Sequence, residues 1–381
     1  MADARSGPRA WGWRGTPQGL LGAILAVALA AACAPSGGGA SPAAKPAAAP
    51  SAAPAEPAGA APTPAPSAAA GPSQEPTSLD ETITTYAFSY WPTMVAQTKG
   101  FLEARGLKVD LTVTPRIPDS ARGLASGSFQ IGSFIPDTAL LGVQQGAPIT
   151  LVGVETEKPI YRLAVQPSVG SFADLRGKTF AVGAVNDVTA GMLRRVLRLN
   201  GLQPDEYELV SVGSTPERYA ALQSGQAAGV LLTPPLNLRA ERDGFKMIAN
   251  LAEILPPYAY AALVVNRDWA QANRGAAVRW LAAMHDSVRW LYDPANRDEA
   301  VAILAEWTKT SEDDSRGTYA IVVEQDKAYP PELRATRAHV DALVDLMREV
   351  GTAPDPLPDL DRFLDNSYLD EALRLPAATS R

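Results

Sequence analysis

Residues 82–114 read TITTYAFSYWPTMVAQTKGFLEARGLKVDLTVT, and the hydrophobic period changes twice within them. Residues 82–89 carry β-branched and aromatic side chains at strand spacing, 92–105 shift to helical spacing, and 107–114 return to alternation. Pro92 at the first helical position and Gly106 past the last mark a helix start and stop. Strand, helix and strand in so short a stretch imply a parallel or mixed sheet with helices on its faces.

The alternation continues outward. Residues 120–126 and 137–144 read as helices, and 129–132, 149–155 and 161–165 as strands. A second run repeats the plan, with strands at 178–182, 206–212, 229–232 and 245–248 and helices at 188–199, 216–224 and 236–242. A strand at 260–266 follows, and then only helices, at 276–292, 297–307, 313–325 and 331–350. The pattern predicts an α/β chain of two lobes with a helical C-terminal tail. Lobe one is expected from 79–177 plus 256–381, and lobe two from 178–255.

The N-terminus has a different character. Arg5, Arg9 and Arg14 precede an apolar run at 20–32, which ends in three alanines and Cys33, the only cysteine of the 381 residues. A basic start, a short apolar stretch and small residues form an export signal, and the run is shorter than the roughly 20 residues a bilayer span needs. The run resembles a lipobox, with Ala30 where leucine is preferred and Leu29 one place earlier. Cleavage would leave Cys33 as a lipid-bearing N-terminus; the competing reading is an ordinary secretory signal with a chance cysteine. Residues 34–77 hold no Leu, Ile, Val, Met or aromatic residue and cannot bury enough surface to order themselves. The expected organisation is a signal peptide at 1–32, then a lipidated cysteine and Ala/Pro/Ser tether at 33–78. That makes the folded part extracytoplasmic, held to a membrane through Cys33.

Composition narrows the function. The formal net charge of −7, without a dense basic patch, argues against nucleic acid as a partner. Beyond Cys33 there is no thiol for a disulfide or a thiolate metal site. The two histidines, His285 and His339, both fall in helical patterns, so a Ser-His-Asp triad or multi-histidine metal centre lacks material. No catalytic residue, metal or cofactor is expected, and the chain is expected to be a monomer.

Five stretches, in order, carry a resemblance. Ala96–Val109 (AQTKGFLEARGLKV) is similar to the A-x-x-x-G-F-F-x-x-x-G-L-x-V opening of type II periplasmic binding proteins. Residues 127–132 resemble their G-x-x-D-I-G turn, 175–183 their L-x-G-K-x-V-x-V segment, 221–226 their A-L-x-x-G-x-x-D-A segment, and 264–269 their return strand. Gln130 and Ala228 stand where the pattern has acids. The group it resembles binds alkanesulfonates, nitrate, taurine and thiamine precursors. The resemblance implies two lobes that close on a ligand, docking on permease subunits of an ABC importer, and no chemistry.

In open α/β sheets ligands bind beyond the carboxyl ends of strands. That rule selects Tyr90 and Trp91, which could stack on a flat ligand or instead pack under the helix. It selects Ser133, Phe134 and Asp137 after the next strand, and Asn186, Asp187 and Thr189 after Gly183, where Asp187 could also be a plain N-cap. Thr233 at a Pro-Pro turn and Tyr258 and Tyr260 near the second crossing complete the set, with Glu155 a further candidate. Aromatics and acids together point to a small flat nitrogen heterocycle such as a thiamine precursor, with a sulfonate or aromatic acid as the alternative ligand. A non-transport receptor, or an enzyme on the same fold, is the competing function.

Overall fold

A computed structural model describes residues 76–379; the expected signal peptide, Cys33 and tether to residue 75 lie outside the described residues. Two mixed five-stranded sheets organise the chain. The first contains β1 (Thr77–Ile83), β2 (Leu107–Val113), β3 (Ile131–Phe134), β4 (Ile149–Thr156) and, far later, β10 (Ala261–Asn266), in the order β2-β1-β3-β10-β4. The second contains β5 (Arg162–Val165), β6 (Lys178–Val182), β7 (Tyr207–Ser211), β8 (Gly229–Leu232) and β9 (Lys246–Asn250), in the order β7-β6-β8-β5-β9. In each sheet the strands of the βαβ run pair in parallel, and a strand from a crossing inserts antiparallel: β10 against β3 and β4, β5 against β8 and β9.

The first strand is not where its β-branched residues predicted it. It starts at Thr77 and ends at Ile83, and Phe88–Tyr90 forms a short 3-10 turn instead. Hydrogen bonds from β2 on one side and β3 on the other hold this polar stretch, so tertiary pairing overrides local propensity. Thr77 and Ser78, expected in the tether, are therefore sheet residues. The helix expected at 92–105 divides into α1 (Trp91–Thr98) and α2 (Phe101–Ala104), because Gly100 adopts φ 71°, a conformation glycine takes without steric penalty. The remaining helices of the two runs are α3 (Ile117–Ser126), α4 (Asp137–Gln144), α5 (Val188–Leu199), α6 (Thr215–Gln223), α7 (Leu236–Arg242), α8 (Leu251–Ile254) and α9 (Arg267–Ala272).

The lobe boundary also moves. β5 was expected in lobe one, but it pairs with β8 and β9, so the first crossing runs from Thr156 to Arg162 and the return from Asn250 to Ala261. An apolar run reads the same in either sheet, which is why periodicity could not place it. The tail comprises α10 (Arg274–Tyr292), α11 (Arg297–Thr308), α12 (Glu312–Tyr319), a π-helix at Ala320–Gln325, α13 (Arg337–Glu349), α14 (Leu360–Phe363) and α15 (Ser367–Ala372). α13 starts six residues later than expected, at a capping box made by Thr336 and His339. The tail does not belong to lobe one alone. α10 and α11 pack on α1, but Leu343, Val344 and Met347 of α13 join Met192, Val196 and Leu197 of α5 in one apolar cluster.

Candidate functional site

Both sheets end their strands at a common cleft. Thr84, Thr85 and Phe88 follow β1, Ile135 follows β3, Thr233 follows β8, and Thr215 opens α6. Tyr161 from the first crossing and Tyr260 from the return close its hinge side, leaving a cavity of about 160 Å³. That volume suits a solute smaller than a typical drug molecule.

The walls are aromatic. The Phe88 and Tyr260 rings stack at 6.4 Å, 8° apart in plane. Tyr260 meets Tyr161 edge-on at 6.1 Å and Tyr258 edge-on at 5.8 Å. The Tyr161 and Tyr260 hydroxyls lie 3.4 Å apart, and the Tyr90 hydroxyl shares a 2.7 Å hydrogen bond with Thr84 Oγ1. Burial, before any neighbouring charge, raises the Tyr90, Tyr258 and Tyr260 phenols well above their ordinary value, so they act as neutral donors and acceptors at pH 7.

Of the residues expected in the site, Tyr90, Thr233 and Tyr260 line the cavity. Trp91 does not. It is fully buried in the core of lobe one, edge-on to the Tyr319 ring at 5.9 Å, because it is the first residue of α1 and points under the helix. Phe134 is likewise sealed in the core, and Tyr258 lies beneath the hinge with its hydroxyl 3.9 Å from Met192 Sδ. Asp187 is the N-cap of α5. Its Oδ1 accepts from Ala190 N at 2.8 Å and Thr189 Oγ1 at 2.6 Å, and its Oδ2 from Ala184 N at 2.8 Å. Thr189 is thereby turned inward to the cap, and Asn186 is exposed on the turn before it. Gly183 serves the same cap, since a Cβ there would sit 2.4 Å from Asp187 Oδ2. Asp137, partly exposed at the start of α4, has its carboxyl pushed up to about 6 by burial, offset in part by hydrogen bonds from Thr138 and reinforced by the Asp187 charge from the other lobe.

Beneath the cleft lie two buried carboxyls. Ser133 Oγ donates to Glu155 Oε2 at 2.5 Å, and the Thr93 amide and hydroxyl donate to Oε1 at 3.0 and 2.9 Å. Glu155 thus satisfies an orphan N–H at the start of α1, although burial still raises its carboxyl to about 7. Glu81 on β1 is also fully buried, with neither oxygen hydrogen-bonded. Burial, then the neighbouring Glu155 charge, pushes it up to about 8, so it is mostly protonated at pH 7. The helix starts of α1 and α5 are therefore occupied by the chain's own carboxyl groups and closed to an anionic ligand.

Sequence reasoning missed Phe88, Tyr161, Thr215 and Arg218. Phe88 and Tyr161 fell inside predicted strands, where an aromatic reads as core. Arg218 fell inside a predicted helix. It is 4% exposed, its Nη2 donates to Thr215 Oγ1 at 2.6 Å, and its Cζ stands 5.9 Å from the Tyr161 ring centre. Gln130, which stands at one of the two positions where the resembled pattern has an acid, serves local structure. Gln130 Oε1 accepts from Asp80 N at 2.7 Å and its amide donates to Gly127 O, which fixes the turn into β3. Among the described residues no three of His, Cys, Asp and Glu converge as a metal site, and no helix is long and apolar enough to cross a membrane.

Comparison with known proteins agrees with this architecture. YtlA of Bacillus subtilis, which carries the name of a binding protein, is 23% identical over 292 residues, covering 73% of this chain and 87% of its own. The bicarbonate transport ATP-binding protein CmpC of Synechococcus elongatus is 26% identical over 240 residues, which cover 56% of this chain but only 35% of CmpC. The periplasmic nitrate-binding protein NrtA of Synechocystis PCC 6803 superposes with a TM-score of 0.65 at 17% identity, covering 79% of this chain and 90% of NrtA. The fold is that of the two-lobed periplasmic binding proteins. The family model described as NMT1/THI5 like matches residues 87–297, more than half of the sequence and every strand of the two sheets but β1, and the chain belongs to that family.

Proposed function

We propose that this protein is an extracytoplasmic solute-binding lipoprotein that delivers a small, flat solute to the permease subunits of an ABC importer. The observation that carries the reading is the cavity of about 160 Å³ between the lobes, walled by Phe88, Tyr90, Tyr161 and Tyr260. Stacking faces contributed by both crossings favour a planar ligand, and a ligand held between lobes favours their closure. The aromatic walls favour a nitrogen heterocycle of the thiamine-precursor kind as the solute. Names among the relatives and neighbours, a binding protein and a nitrate-binding protein, support a receptor over an enzyme. The export signal and Cys33 support a lipid-tethered receptor outside the cytoplasm.

Native mass spectrometry of the purified protein, followed by thermal-shift titration with the mass found, tests the proposal. The expected result is a co-purified solute that stabilises the fold by about 2.7 kcal/mol at a hundredfold excess over Kd and leaves chemically unchanged. Conversion of that solute to a new mass would make the protein an enzyme.

A further inference from the structure

Among the described residues, the other nearly sealed basic side chains each face a carboxylate. Lys99 Nζ lies 2.6 Å from Glu299, Arg162 lies 2.9 Å from Asp326, and His339 Nε2 lies 3.3 Å from Glu157. Arg218 has no acidic partner. One hydrogen bond to Thr215 satisfies part of Nη2, while Nε and Nη1, three N–H bonds in all, meet no acceptor. A buried guanidinium left unsatisfied carries a heavy desolvation cost, and sites that bind ligands are where such costs persist. Its two neighbours, Thr215 and Tyr161, both line the cleft.

Resting on the receptor reading above, we infer that Arg218 is the anchor for an oxyanion on the bound solute, and that the solute is a planar ring acid. Arginine donates to carboxylate and sulfonate oxygens in the plane of the guanidinium. The Tyr161 ring beneath it leads directly to Tyr260, so an acid held at Arg218 carries its ring onto the aromatic wall. The helix starts of α1 and α5 cannot serve instead, because Glu155 and Asp187 fill them.

The test titrates the full chain, and its Arg218→Gln and Arg218→Lys variants, with nicotinate, benzenesulfonate and nicotinamide. In the wild type the two acids are expected to bind at least tenfold more tightly than the amide. Arg218→Gln is expected to abolish that preference, and Arg218→Lys to keep part of it. Without ligand, Arg218→Gln is expected to melt at or above the wild-type temperature, because it removes an uncompensated charge. Equal binding of nicotinamide and nicotinate, or an unchanged acid preference in Arg218→Gln, overturns the inference and leaves the receptor reading intact. If none of the three binds, the charge of the co-purified solute decides: a neutral solute overturns the acid assignment, and an acid bound equally by Arg218→Gln overturns the role of Arg218. No co-purified solute together with no binding overturns both readings.

Discussion

At the residue scale, the buried carboxyls set the pH response. Glu81 and Glu155 ionise near 4.5 when unfolded but hold their protons to about 8 and about 7 when folded. The folded state therefore binds more protons across that window, and stability falls as pH rises through it. The penalty is absent below about 4.5 and complete above about 8. Thermal unfolding followed from pH 5.5 to 8.5 should show a falling Tm. Glu81→Gln, which mimics the protonated acid, should flatten the curve and, at pH 8.5, raise stability by an amount of the order of a few kcal/mol, seen as a higher Tm. A variant that keeps the wild-type slope would mean that Glu81 ionises normally.

The same scale separates two aromatics that the sequence presents alike. Trp91→Ala removes a fully buried indole and should cost about 3–5 kcal/mol of stability, read by denaturant midpoint. Tyr260→Ala opens one wall of the cleft and should weaken binding of the co-purified solute about tenfold or more by calorimetry, with a smaller loss of stability. Tyr90 and Trp91 are neighbours at a strand-to-helix turn, and sequence placed both in the cleft. The helical screw separates them, turning Trp91 under α1 and Tyr90 toward Thr84. Strand-end positions were thus legible from the alternating pattern. Which side chain of each turn faces solvent was not, because it depends on dihedral angles that periodicity does not encode. Arg218 was invisible for a related reason: its lack of an acidic partner is a three-dimensional fact.

At the element scale, six of the ten expected helices were read within a residue or two, since their apolar stripes and caps are local, while the short α8, α9, α14 and α15 were not read at all. β1 was misplaced, and β5, read within a residue, was given to the wrong lobe, because pairing partners define both. Packing between elements adds constraints that no local rule carries. Gly191 in α5 sits where a Cβ would lie 2.5 Å from the backbone oxygen of Leu346 in α13. Glycine inside a helix ordinarily costs about 1 kcal/mol relative to alanine. Here the sign should invert. Gly191→Ala pushes α13 off α5 and should destabilise by about 1–3 kcal/mol, as overpacking does. Gly275 in α10, whose nearest neighbour is an arginine tip at 3.5 Å, is the control, and its alanine variant should be neutral or stabilising. Equal Tm changes in the two variants would show that α13 moves aside freely.

At the scale of the whole molecule, the tail bears on how the lobes move. Besides the two crossings, α12 meets α7 of lobe two. Asp314 receives Arg242 Nη2 at 2.8 Å and Arg239 Nε at 2.9 Å, and Gly317 allows the Leu238 side chain close approach. Burial would raise the Asp314 carboxyl, but hydrogen bonds from Arg239 and Arg242 outweigh it and hold the acid below its ordinary value. The contact acts as a latch on the arrangement that forms the cleft. Both arginines are largely exposed, so screening reduces the worth of the pairs to about 1–2 kcal/mol. Releasing the latch lowers the population of the binding-competent arrangement, and apparent affinity falls by the same fraction. Asp314→Asn should therefore weaken solute binding by up to about tenfold without touching the cleft. It should also speed amide exchange in α7 and α12 and enlarge the ligand-free radius of gyration, with saturating solute restoring the wild-type value. High salt should reproduce part of the effect in the wild type and none in the variant. A variant that loses stability but keeps its radius and its affinity would confine these ion pairs to local support, and leave the two crossings and the packing of α13 on α5 to govern closure.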